Sequence, residues 1–160
     1  MIFGCYTNKM KKQLIIIGGG FVGSYCARKL EKYKNFEVTL IDTKDYFEFT
    51  PGILRTIVDL NHSRKIEIRH KDYLKKTKII LGEVKKINNN TVYTKKEKLS
   101  FDYLIISSGS EYKSHIKEKN LVLPNRLKIL KESHSKLEKA KSILIVGGGL
   151  VGVELAGEII

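Results

Sequence analysis

The feature that most constrains this 160-residue chain is a near repeat. Leu14–Gly23 reads LIIIGGGFVG and Ile143–Gly152 reads ILIVGGGLVG. In each, a short apolar run leads into G-x-G-x-x-G and then into a helix-like segment. A lone glycine pattern of this kind is a weak signal. Two copies, each directly after an Ile/Val/Leu run, specify two βαβ units of the dinucleotide-binding type. The first glycine makes the tight turn after the strand. The second removes a side chain so that a pyrophosphate can approach the backbone, and the third lets the helix pack on the sheet. Gly18, Gly20 and Gly23 fill these places in the first copy, and Gly147, Gly149 and Gly152 in the second. With Gly19 between them, the amides of Phe21 and Val22 open the first helix, where its dipole favours an anion.

The elements around the first copy fit that reading. Gln13–Ile17 is a continuous apolar run, as in a parallel strand covered on both faces. Phe21–Tyr33 follows as a helix, with Val22, Tyr25, Cys26, Lys29 and Leu30 roughly along one face and Cys26 a small buried residue. Phe36–Ile41 is the next strand and ends at Asp42, 24 residues after Gly18. An acidic residue at that place accepts hydrogen bonds from the ribose hydroxyls of a bound dinucleotide; the plainer alternative is a loop cap. Thr50–Leu60 reads as helical. Lys78–Leu81, Glu83–Ile87, Thr91–Thr94 and Lys98–Phe101 read as short strands forming a small antiparallel meander. Tyr103–Ile106 is a further apolar strand, His115–Asn120 a polar loop and Arg126–Lys141 a helix. Ile143–Val146 is expected as the strand that opens the second unit.

Composition narrows the function. Net charge is +13, from 30 Lys and Arg against 17 Asp and Glu, but the positives are mostly scattered lysines. Dispersed lysines describe a solvated surface better than a nucleic-acid site. Two cysteines give no disulfide framework. No apolar stretch reaches the roughly 18 residues of a membrane span. The first residues have neither the apolar core of a signal peptide nor the Arg-rich pattern of a transit peptide. Histidines 62, 70, 115 and 134 show no metal or triad spacing, and each reads as a surface or partly buried residue.

Four blocks carry a family resemblance: IIIGGGFVG at 15–23, LIDTKDYFEFTPGILRTIV at 40–58, LGEV with FDYLIISSGS between 81 and 110, and ILIVGGGLVGVELAGEI at 143–159. Through them the sequence resembles the FAD-dependent pyridine-nucleotide oxidoreductases with two dinucleotide-binding domains. It is most similar to their apoptosis-inducing-factor-like, ferroptosis-suppressor-type and type II NADH:quinone branches. The resemblance implies an α/β fold: a Rossmann-like FAD-binding domain with a small antiparallel meander, then the start of a second Rossmann-like NAD(P)-binding unit. It divides the chain into an extension at 1–12, an FAD-binding domain at 13–125 that lacks its distal part, and an NAD(P)H-binding domain that begins at 126 and is cut off at 160.

The resemblance also implies roles. Gly18 to Gly23 meet the FAD pyrophosphate and Asp42 the ribose. Lys44 joins the cofactor contacts, and Arg55 resembles the family's FAD-contacting basic residue. Val84 takes the place whose backbone meets adenine. Ser108 and Gly109 replace the usual Ala-Thr-Gly turn, keeping small size and one hydroxyl. Gly147, Gly149 and Gly152 face the NAD(P)H pyrophosphate, and Glu154 lies near the nicotinamide–flavin junction as the one catalytic candidate. For Arg55 a helix-surface charge, and for Glu154 a first-turn dipole charge, remain equally good readings. The region KDYFEFTPGILR lacks the C-x-x-x-x-C of the disulfide-reductase branch. Electrons from FAD are therefore expected to pass directly to a small acceptor such as a quinone, in a protein that is cytoplasmic or peripheral to a membrane, mitochondrial ones included. Two other classes stay open: a nucleotide-holding scaffold without turnover, and a basic module for nucleic acid or anionic membrane. The 160 residues alone are expected to be an incomplete and inactive part of such an enzyme.

Overall fold

The computed structural model describes residues 10–110 and 122–160. In chain order the strands and α-helices are β1 (Lys12–Ile17), α1 (Phe21–Leu30), β2 (Phe36–Asp42), β3 (Tyr46–Glu48), α2 (Ile53–Val58), α3 (Ser63–Ile66), β4 (Glu67–Arg69), α4 (His70–Tyr73), β5 (Lys78–Leu81), β6 (Val84–Asn88), β7 (Thr91–Thr94), β8 (Lys98–Ser100), β9 (Tyr103–Ile106), α5 (Leu123–Lys139) and α6 (Leu150–Ile159). They divide into two compact units, one of residues 1–42 and 74–108, the other of residues 43–73 and 109–160.

The first unit holds a four-stranded parallel sheet in the order β5-β2-β1-β9. The chain runs from β1 outward through β2 to β5, then returns to the other side of β1 as β9. That reversal leaves a topological switch point beyond the carboxyl ends of β1 and β9, where ligands of open α/β sheets bind. The central strands are the apolar runs of the sequence, and Leu14, Ile15, Ile16, Val38, Leu40 and Ile41 are all buried. Each such side chain contributes about 1.5–3 kcal/mol relative to exposure. A three-stranded antiparallel sheet, β6-β7-β8, packs on this one through Ile15, Ile41, Ile80 and Val92, with Val84, Leu99 and Phe101 at the margin. Lys78–Leu81 does not join that meander as expected. It pairs in parallel with β2, because its buried Ile80 completes the sheet core.

Helix α1 buries a different face from the one its large residues marked. Gly23, Ser24 and Ala27 are buried, whereas Val22 and Tyr25 are 60% and 64% exposed and Cys26 is half-buried. A helix that packs closely enough for Gly23 to approach the strand turn has room only for small side chains on that face. At its end, Glu31 Oε2 accepts from the amides of Lys75, Lys76 and Thr77 at 3.0, 2.8 and 3.1 Å and from the Thr77 hydroxyl at 3.0 Å. This single carboxylate oxygen fixes the approach to β5.

The second unit is built differently. Strands β3 and β4 pair antiparallel, with Tyr46 opposite Arg69, Phe47 opposite Ile68 and Glu48 opposite Glu67. The helical stretch expected over Thr50–Leu60 is a 3₁₀ turn at Thr50–Gly52 and the short α2, followed by a second 3₁₀ turn at Leu60–His62 and then α3. Pro51, Gly52 and several β-branched residues disfavour one continuous helix. A core of Ile53, Leu54, Ile66 and Leu130 is flanked by Ile57, Leu60 and Leu155, so α2, α3, α5 and α6 share it. Helix α5 starts at Leu123, with Pro124 in its first turn.

Ile143–Val146 is not a strand. It has no regular secondary structure, and Leu144 and Val146 are 87% and 89% exposed. A parallel strand exists only through a ladder with a neighbour, and among the described residues no strand pairs with this segment. Residues 1–9 of the extension expected at 1–12 and the polar loop at 115–120 lie outside the described residues, and β1 begins at Lys12.

Candidate functional site

The first glycine turn lies at the carboxyl end of β1, and each of its glycines has a separate physical reason. Gly18 has φ +93°, a backbone conformation that favours glycine, and a Cβ there would sit 2.4 Å from the Ser107 carbonyl oxygen. A Cβ on Gly23 would sit 1.8 Å from the Gly18 carbonyl oxygen. Gly20 is different. Its φ is −72°, open to any residue, and a Cβ would meet nothing within 4 Å. The fold therefore requires Gly18 and Gly23, while nothing among the described residues requires Gly20. The space beside it suits a ligand that must come close to the backbone.

The second turn repeats this geometry. Gly147 has φ +110°, and a Cβ on Gly152 would sit 2.1 Å from the Gly147 carbonyl oxygen. Gly149 again meets nothing within 4 Å. Gly20 and Gly149 are the N-caps of α1 and α6, neither helix has an acidic residue in its first turn, and α1 carries Arg28 and Lys29 in its last. Both N-termini thus present amides and the positive end of a helix dipole. The glycine turn forms at the second copy without the strand that precedes the first.

Asp42 ends β2 beside the first turn, and its Oδ2 accepts from the Gly19 amide at 2.8 Å. Its carbonyl oxygen accepts from the Gly82 amide at 2.8 Å, which brings the turn before Val84 to the same edge of the sheet. From the other side, Ser107 follows β9. Its amide donates to the Ile17 carbonyl at 2.8 Å, and its hydroxyl reaches the carbonyls of Ile17 and Gly18 at 2.9 and 3.0 Å. Ser24 Oγ donates to the Gly19 carbonyl at 2.6 Å. Sequence reasoning singled out Ser108, which is exposed, and passed over Ser107 and Ser24. The signal available for Ser107 was its place directly after an apolar strand adjacent to β1.

The candidate residues fall in both units. The first holds Gly18, Gly19, Gly20, Phe21, Val22, Gly23, Asp42, Val84 and Ser108. The second holds Lys44, Arg55, Gly109, Gly147, Gly149, Gly152 and Glu154. Arg55 is exposed on α2 and Glu154 is exposed on α6, while the Lys44 ammonium lies 5.3 Å from the centre of the Tyr46 ring. Gly109 has φ +69°, the left-handed conformation that glycine adopts at no steric cost.

The second unit also holds a buried charged cluster that the sequence did not reveal. Arg126 is fully buried on α5, with Nε 2.8 Å from Glu48 Oε2 and a terminal nitrogen 3.4 Å from Oε1. Glu67 lies opposite Glu48 in the β3–β4 register. Burial, and next the Glu48 carboxylate, push the Glu67 carboxyl up to about 7. Burial also raises the Tyr46 phenol, with Glu48 second. His70, expected at the surface or partly buried, is fully buried, and its Nδ1 lies 2.7 Å from the Tyr73 hydroxyl. Asp45 accepts from the Leu123 amide at 2.8 Å and so holds the start of α5. Among the described residues there is no metal-type cluster and no helix long and apolar enough to cross a membrane.

Comparison with known proteins gives a consistent result. The family model for pyridine nucleotide-disulphide oxidoreductases matches residues 12–160. Apoptosis-inducing factor homolog A of Dictyostelium discoideum is 39% identical over 153 residues, covering 94% of this chain and 37% of that protein. The crystal structure of NADH:rubredoxin oxidoreductase from Clostridium acetobutylicum matches with a TM-score of 0.68 and 26% identity, over 93% of this chain and 42% of that one. The sulfide:quinone oxidoreductase of Aquifex aeolicus matches with a TM-score of 0.62 and 25% identity, over 80% of this chain and 32% of that one. The chain thus spans about a third to two fifths of the length of these relatives.

Proposed function

The chain belongs to the pyridine nucleotide-disulphide oxidoreductase family, and from that premise we propose that it carries the FAD site and the opening of the NAD(P)H site of a flavin-dependent NAD(P)H:acceptor oxidoreductase. The observation that carries this reading is the middle glycine of each turn. Among the described residues, a Cβ on Gly20 or Gly149 would meet nothing within 4 Å, which leaves room for a ligand against the backbone, and each lies at a helix N-terminus suited to a pyrophosphate.

In this reading residues 13–125 serve FAD and residues from 126 onward serve NAD(P)H. Gly20, Phe21 and Val22 offer their amides to the FAD pyrophosphate. Asp42 and the backbone near Val84 take the ribose and adenine, with Arg55 and Lys44 completing the contacts. Gly147, Gly149 and Gly152 form the corresponding turn for NAD(P)H, and Glu154 lies near the reacting rings. FAD, when bound, takes hydride from NAD(P)H and passes electrons onward; the protein supplies orientation and electrostatics.

The acceptor we favour is a quinone. Cys5 and Cys26 are the chain's cysteines, and neither belongs to a C-x-x-x-x-C pair, so no dithiol relay is available within these residues. One structural relative is described as acting on a quinone; another is described as acting on rubredoxin.

The test is a purified polypeptide that carries these residues together with a complete NAD(P)H-binding domain, titrated with FAD and then with NADH under anaerobic conditions. The reading expects the flavin absorbance of a bound cofactor, bleached by NADH and restored by a soluble quinone. A protein that stays folded, colourless and unable to take up FAD overturns it. Uptake of FAD without bleaching by either NADH or NADPH overturns the enzyme reading in favour of a scaffold.

A further inference from the structure

We propose that Ser107 is a positioning residue for the pyrophosphate site, the serine that locks the first glycine turn before any ligand arrives. This rests on the reading that this turn takes FAD.

Three successive glycines, Gly18 to Gly20, are costly to order. The structure orders them from three sides. The peptide between Gly18 and Gly19 has its carbonyl 3.0 Å from the Ser107 hydroxyl and its N–H 2.8 Å from Asp42 Oδ2. The carbonyl of the next peptide, on Gly19, accepts from Ser24 Oγ at 2.6 Å. These side chains come from the end of β9, the end of β2 and the first turn of α1. Two consecutive peptide planes are thereby held in one orientation, and the amides that follow them, from Gly20 to Val22, inherit it.

Ser107 is the member of this trio at the switch point of the sheet. Its backbone amide already pairs with the Ile17 carbonyl at 2.8 Å, so the strand end is tied down without the hydroxyl. The hydroxyl adds one interaction, to the carbonyls of Ile17 and Gly18. It also fills the space above Gly23, where a Cβ would come within 2.7 Å of it. An alanine would keep the backbone pairing and lose only the lock. Ordering a site in advance appears as ligand affinity, because the free site no longer has to be ordered on binding.

The test compares Ser107→Ala with the unaltered protein in binding ADP, which carries a pyrophosphate, and adenosine, which carries none, both followed by ligand-detected NMR. The proposal expects about fivefold weaker ADP binding, the effect of one net hydrogen bond. Adenosine binding and the melting temperature should stay close to those of the unaltered protein. Ser24→Ala acts on the same turn from the helix side and should show the same contrast; it decides the matter if Ser107→Ala does not fold. Equal ADP affinity in the folded variant overturns the proposal. So does a parallel loss of ADP and adenosine, which assigns Ser107 a general structural role. An unaltered protein that binds neither ADP nor FAD overturns the functional reading instead.

Discussion

Gly20→Ala and Gly23→Ala should separate ligand binding from folding at a distance of three residues. At Gly20 the added methyl meets no atom within 4 Å, and φ −72° with ψ −158° is ordinary extended backbone. As an N-cap, alanine is worse than glycine by about 0.5 kcal/mol. It regains a similar ~0.4–1 kcal/mol by restricting the unfolded chain. Stability should therefore stay within about 0.5 kcal/mol of the original. FAD affinity should not survive as well, because the methyl occupies the approach to the backbone. Overpacking of about 1–3 kcal/mol corresponds to a roughly five- to hundredfold rise in Kd. At Gly23 the methyl would sit 1.8 Å from the Gly18 carbonyl oxygen, with the Ser107 hydroxyl at 2.7 Å and the Gly18 carbonyl carbon at 2.9 Å. Carbon and oxygen need about 3.4 Å, so α1 must lift from the turn by more than an ångström. An overlap penalty near 3 kcal/mol, less about 1 kcal/mol of helix propensity gained by alanine, leaves a loss of roughly 2 kcal/mol. That is a drop of about 4–8 °C in melting temperature for a chain of this size. Thermal unfolding followed by circular dichroism measures the first quantity and FAD titration the second. A Gly23→Ala protein as stable as the original, or a Gly20→Ala protein that binds FAD equally well, would refute the division of roles.

The buried cluster of the second unit makes two further predictions. Glu67 titrates near 7 in the folded chain against 4.5 when exposed, so the folded state holds that proton more tightly. Stability contributed by this group is full below about pH 4.5 and falls as pH rises to about 7; Glu67→Gln should remove the decline and stabilise the protein at pH 8 by about 1–2 kcal/mol, allowing for partial exposure. Urea midpoints at pH 5 and pH 8 check it, and an unchanged pH slope in the variant would contradict it. Arg126→Met leaves Glu48 buried without its partner and should cost about 3–5 kcal/mol, whereas adding Glu48→Leu should recover much of that loss. Chemical denaturation of the single and double variants decides it, and a double variant no more stable than the single would count against the pairing.

The parts of the fold legible in the sequence are those dictated by local chemistry. The apolar runs of β1 and β2, the glycine turns and the place of Asp42 depend on residues within a few positions of one another. The face of α1 was misjudged because hydrophobic size marks a buried face only where there is room, and Gly23, Ser24 and Ala27 mark it here by being small. Ile143–Val146 has a strand's composition, but a strand also needs a neighbour, which composition cannot supply. Lys78–Leu81 looks the same in an antiparallel meander and at the edge of a parallel sheet; its pairing with β2 is set by a partner 39 residues earlier, Thr39 with Lys78. The Glu48–Arg126 pair spans 78 residues, and Arg126 was indistinguishable from the scattered surface cations. A faint trace existed in the alternation of Tyr46-x-Glu48 and Glu67-x-Arg69, which places polar groups on one face of a two-stranded ribbon. Ser107 was hidden for a related reason: its partners, Ile17 and Gly18, lie 90 and 89 residues away.

The central claim is that FAD occupies the first glycine turn and NAD(P)H the second. Backbone amide chemical shifts of the isotope-labelled protein, followed during separate titrations with FAD and NADH, test it most directly. The account predicts that FAD moves the amides of Gly20, Phe21 and Val22 and leaves those of Gly149, Leu150 and Val151 in place, while NADH does the reverse. FAD shifts confined to the second turn, or no shift at either turn with the protein folded, would contradict it.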